Sequence, residues 1–104
     1  MNNKDVFISA IHEKRLIDVT IASIEKGTIH RTCVPYDFGP SQRYKDGLHR
    51  YHFYDLDSPE SPHNLSILPS QLLAITKLDQ KFDPKDFVNF SPKWFIPRDW
   101  GVYS

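Results

Sequence analysis

The chain has one cysteine, four glycines, no excess of either charge and no apolar run longer than four residues. A lone Cys33 cannot form an internal disulfide and fits a reducing, cytoplasmic location. Four glycines, scattered at Gly27, Gly39, Gly47 and Gly101, leave no Gly-rich phosphate loop, and no serine sits in a nucleophile elbow. Thirteen Lys+Arg balance thirteen Asp+Glu, so the whole-domain basic excess of a dedicated duplex DNA binder is missing. The longest apolar run, Leu72-Leu73-Ala74-Ile75, falls far short of the roughly 20 residues of a spanning helix, so no membrane association is expected. The first residues, Met-Asn-Asn-Lys-Asp-Val, lack the basic and apolar regions of a secretory signal.

What remains is one domain's worth of chain, residues 1–104. An apolar fraction of 39% with 13% aromatics suffices for a core and argues against wholesale disorder. Residues 3–15 read as a helix, with Asn3 as N-cap and Phe7, Ala10 and Ile11 as one apolar stripe. The period then changes to two. Ile17, Val19 and Ile21 alternate with Asp18, Thr20 and Ala22 in a half-buried strand. A turn at Glu25–Thr28 leads to a second strand, Ile29–Val34, which Pro35 is expected to end. Residues 37–47 read as a loop, Leu48–Asp55 as a strand and Asp57–His63 as an acidic, Pro-containing loop. Asn64–Leu68 is a short strand, Pro69–Leu72 one helical turn, and Ala74–Asp79 a fifth strand. Five short strands favour closure, so the expected fold is mainly β (α+β): a five-stranded SH3/Sm-like small barrel over residues 16–79, preceded by the helix.

Residues 80–104 form an aromatic-rich C-terminal extension. Asp83 before Pro84 reads as a helix start, with Phe82 and Phe87 as a hydrophobic staple. Seven of the fourteen aromatics lie in the last 23 residues, and a free tail would not expose so much aromatic surface. This tail must pack on something.

Five stretches stand in order between about residue 8 and residue 87: Ala10-Ile11-His12-Glu13-Lys14-Arg15-Leu16, Val34-Pro35-Tyr36, Asp46-Gly47, Tyr54-Asp55-Leu56 and Ala74-Ile75-Thr76-Lys77-Leu78-Asp79 with Phe82. On these stretches the chain resembles a WYL-type domain. The resemblance implies a small Sm/SH3-like barrel of the kind that forms the regulatory half of bacterial transcription factors. The departures are specific. The tripeptide that names the family falls at His49-Arg50-Tyr51, and Gln71 stands where an arginine of the ligand surface is expected. About a dozen residues precede the first strand, too few for the usual helix-turn-helix, so a stand-alone form is expected.

The neutral total conceals segregation. Between Lys26 and His52 stand five Lys/Arg and only two acids, Asp37 and Asp46, interleaved with Tyr36, Phe38, Tyr44 and Tyr51. Cations for phosphate beside rings for stacking suit a nucleotide or single-stranded nucleic acid. Arg31, Arg43, Tyr44, Lys45, Arg50 and Tyr51 are the candidate ligand residues; the plainer reading is a solvated face with the aromatics turned inward. A protein-interaction or homodimerisation module is the alternative, with Trp94, Arg98 and Trp100 as anchors. The plainer reading is that Trp94 and Trp100 cover an open end of their own barrel, with Arg98 paired to a nearby carboxylate. No metal or other cofactor is expected: His49 and His52 point to opposite faces of a strand, and Cys33 completes no zinc motif. Asp55 and Asp57 would share a face, but Ser58-Pro59 suggests exposure and no acid/base pair, so no enzyme is expected.

Overall fold

Helix α1 (Asn3–Glu13) begins one residue earlier than its sequence cap suggests: Asn2, not Asn3, accepts the Asp5 amide at 2.8 Å. In this computed structural model, which describes residues 2–104, Phe7, Ala10 and Ile11 form the buried stripe. Met1, part of the expected 1–104 domain, lies outside the described residues. The helix stops at Lys14, not at Arg15, because Lys14 adopts a left-handed conformation (φ 55°) and returns its amide to the Ala10 and Ile11 carbonyls. A side chain is disfavoured there, so Lys14→Gly is expected to stabilise the fold by about 0.5–1 kcal/mol, measured as a raised thermal midpoint.

The rest is mainly β. Strands β1 (Arg15–Ser23), β2 (Gly27–Pro40), β3 (His49–Asp55), β4 (His63–Ile67) and β5 (Leu72–Lys81) form one antiparallel sheet in the order β4-β3-β2-β1-β5. The β1–β2 turn contains Gly27 at φ 70°, the positive φ that this turn was expected to need. Single turns of 3-10 helix stand at Pro69–Gln71, Pro84–Asp86 and Gly101–Tyr103. The helix start at Asp83 is thus one turn only; Asp83 caps it, and the Phe82 and Phe87 rings meet at 6.2 Å.

One expectation about the strands needs correction. Pro35 does not end β2, which runs to Pro40, so residues 37–40 are strand rather than loop. The missing proline donor is absorbed at a bulge: Pro35 stands opposite Phe53 and Asp37 opposite His52, leaving Tyr36 as the extra residue. The long strand pairs with β1 through residues 27–33 and with β3 through residues 33–40. Among the described residues β4 and β5 are the two ends of the sheet and share no ladder.

Phe7 packs on one face of the sheet, edge-on to Tyr51 at 5.0 Å and to Phe53 at 5.6 Å. Ile17, Val19 and Ile21 join it from β1, as their alternation predicts, together with Cys33, Val34 and Ile67. Burial pushes the Cys33 thiol well up, so it behaves as a small apolar side chain. No helix among the described residues is long and apolar enough to cross a membrane.

Candidate functional site

The bulge decides where the C-terminal extension sits. It turns the successive side chains of Tyr36 and Asp37 towards the tail. Tyr36 packs against Phe90 at 6.0 Å and Trp94 at 5.8 Å, and its hydroxyl donates to the Phe87 carbonyl at 3.0 Å. Burial pushes this phenol up to about 12. Asp37 accepts the amides of Phe95 (2.9 Å) and Ile96 (3.0 Å) and pairs with the Arg98 guanidinium at 3.2 Å. The Arg98 side chain is 1% exposed, lies 4.0 Å from the Trp94 ring and 4.5 Å from the Trp100 ring, and also donates to the Tyr36 carbonyl. Burial pushes its pKa down to about 10 against the opposing pull of Asp37.

With the tail seated, a cleft of ≈ 500 Å³ opens between it and the outer face of β2, β3 and β4. Its floor is His52, Asn64 and Ser66; its walls include Phe90, Lys93 and Phe95 on the tail and Gln42 after β2. Asn64 and Ser66 alternate along β4 and so share a face. His52 bridges the Gly39 carbonyl (2.9 Å, Nε2) and the Ser66 hydroxyl (2.7 Å, Nδ1). A carbonyl only accepts, so in the neutral ring Nε2 carries the proton and Ser66 donates to Nδ1. That leaves the lone pairs of Ser66 and the amide of Asn64 free to meet a ligand. Phe90 and Phe95 remain 46% and 59% exposed, an unusual cost for two rings that face one cavity. Gly39 matters here for close approach: a Cβ at this position would stand 2.4 Å from the Phe95 ring.

The six residues expected to bind a ligand do not form one surface. Tyr51 is 4% exposed and belongs to the core, against Phe7 and Phe38. Arg31 is paired with Asp55 at 3.2 Å, and Asp55 is 2% exposed rather than solvated. Arg43, Tyr44 and Arg50 do come together: the two guanidiniums lie 5.5 Å and 4.3 Å from the Tyr44 ring. Arg50 is held in a fork by both oxygens of Asp46 (2.9 Å each), and Arg50 holds the Asp46 carboxyl down to about 2. A carboxyl depressed in the fold stabilises it above its ordinary value of 3.8, and that contribution is lost as pH falls through about 2. Acid titration between pH 4 and 2 is therefore expected to loosen the 41–47 loop, read by Tyr44 fluorescence. Lys45 lies exposed in the same loop.

Trp94, Arg98 and Trp100 are engaged within their own chain. The Trp100 ring is 3% exposed and donates from Nε1 to the Ile11 carbonyl at 2.9 Å. Gln71, in the position where the WYL-like pattern expects an arginine, closes the 3-10 turn by accepting the Leu68 amide at 2.9 Å. No group of three or more His, Cys, Asp or Glu that could hold a metal stands together among the described residues. The cleft residues Gln42, Asn64 and Ser66 gave no signal as a motif; only the alternation along β4 pairs the last two. No family model, curated protein or solved structure matches the chain.

Proposed function

We propose that the protein is a non-enzymatic, WYL-like regulatory module of SH3/Sm-like barrel type that binds a nucleotide or short single-stranded nucleic acid in the tail-walled cleft. The strand order, the shared β2 and the 3-10 turn between β4 and β5 support the barrel reading. The observation that carries the ligand reading is the pair of exposed rings, Phe90 and Phe95, facing a cavity with Asn64, Ser66, Gln42 and Lys93. The rings offer stacking to any base, the amides and hydroxyl offer donors and acceptors to its edge, and Lys93 meets a phosphate. Asp37, the acid in the lining, is neutralised by Arg98.

With Arg31 and Arg50 ion-paired, few cations remain for phosphate. Binding of labelled RNA and DNA single strands should therefore weaken only modestly with salt, with a log–log slope near about −0.7 per phosphate held. Phe95→Ala is expected to lower affinity about tenfold while leaving the thermal midpoint nearly unchanged, as its ring is mostly solvated. Titration by fluorescence anisotropy checks both. A flat response to nucleotides and to both polymers would overturn the reading.

A further inference from the structure

The two ends of the sheet are treated in opposite ways. The β5 end is blunted. Asn3 donates from its side chain to the Leu72 carbonyl and Arg15 to the Leu78 carbonyl. Lys77 reaches across to Ser9 and Glu13 of α1, at 2.8 and 2.6 Å. The β1–β5 register also shifts twice. These are the usual devices that stop a strand from pairing further. β4 has none of them. Its sequence, His-Asn-Leu-Ser-Ile, carries no lysine, acid, proline or glycine, and its register against β3 runs unbroken from Asp55↔His63 to Tyr51↔Ile67. Among the described residues, nothing bonds the β4 backbone groups that face away from β3.

Beside this open edge lies a groove of ≈ 420 Å³, lined by His63, Asn64, Leu65 and Ser66 on the strand and by Arg43 and Tyr44 across from it. A second copy pairing through its own β4, His-Asn-Leu-Ser-Ile, would bring no acid to this groove. The groove has no carboxylate in its lining. Arg43 has no ion-pair partner among the described residues, in contrast to Arg31, Arg50 and Arg98. The geometry points to β4 as the docking edge for an extended acidic peptide of another protein, which adds as a sixth strand and places a carboxylate against Arg43. Main-chain hydrogen bonds to β4 supply affinity, and the guanidinium fork selects charge and register.

The test uses three labelled peptides of about seven residues on the intact protein: one alternating Thr/Val with Glu, one with Lys for Glu, and the acidic one N-methylated at alternate amides. The acidic peptide is expected to bind at least about tenfold tighter than the basic one. N-methylation along the bonding edge should abolish binding, and Arg43→Glu, an exposed loop substitution, should reverse the preference. No binding of the acidic peptide overturns the proposal. So does equal binding of the N-methylated peptide, which would mean charge attraction without strand addition. A dimer in sedimentation that is lost with Asn64→Lys also overturns it, by giving the edge to a second copy.

Discussion

Arg98→Ala is expected to destabilise the protein by about 3–5 kcal/mol, because it strips a buried carboxylate of its counter-ion. Asp37 is buried by the tail, and without Arg98 it keeps only the amides of Phe95 and Ile96. The two indoles that contact the guanidinium would also face a void. For a domain of this size such a loss is a large part of the total stability. Urea denaturation at neutral pH measures it. Arg98→Lys separates the components: it keeps the charge but loses the planar fork that serves Asp37 and the carbonyls of Tyr36 and Ile96. A recovery of about half is expected. A loss below about 1 kcal/mol for the alanine variant would mean that water reaches Asp37 freely.

Trp100→Ala is expected to cost a similar amount, about 3–5 kcal/mol, by a different route. The indole is 3% exposed and lies 5.4 Å from the rings of both Phe82 and Trp94. Its removal opens a cavity that these stiff neighbours cannot fill. Trp100→Phe retains part of the packing and loses the bond to the Ile11 carbonyl, for a loss of about 1–3 kcal/mol. Because Arg98 and Trp100 touch, the double alanine variant should lose less than the two single losses added together. Denaturation of the wild type, the two single alanine variants and the double variant closes that cycle.

Local chemistry made much of the fold legible in advance. The i, i+3, i+4 stripe of Phe7, Ala10 and Ile11, the alternation of Ile17, Val19 and Ile21, the Gly27 turn and the Asp83–Pro84 cap all appear where their spacing puts them. What sequence spacing missed comes from one tertiary event. A proline within a run normally ends a strand, yet Pro35 sits in β2 because the bulge after it takes up the missing hydrogen bond. Through that bulge Tyr36 and Asp37 become the seat of the tail, and a segment that reads as a polar loop becomes half of the site. The same limit applies to charge. Arg31 and Arg50 look like free cations until their partners, Asp55 and Asp46, arrive from elsewhere in the fold or turn back on them. The aromatic excess after residue 82 correctly demanded a covering role; that the cover would leave Phe90 and Phe95 open to a cleft depends on Gly39, whose missing side chain lets Phe95 approach.

The bond from Trp100 to Ile11 spans 89 positions of sequence. It ties the first helix of the described fold to the last turn of the tail. Without the ring, the helix end lacks its cover. Such distant closure is entropically slow, so folding is expected on the millisecond-to-second scale of long-range β topologies. Trp100→Ala is expected to speed unfolding more than it slows folding, the result for a contact made after the transition state. On that expectation the tail sets how long the folded chain survives, and the sheet sets how fast it forms.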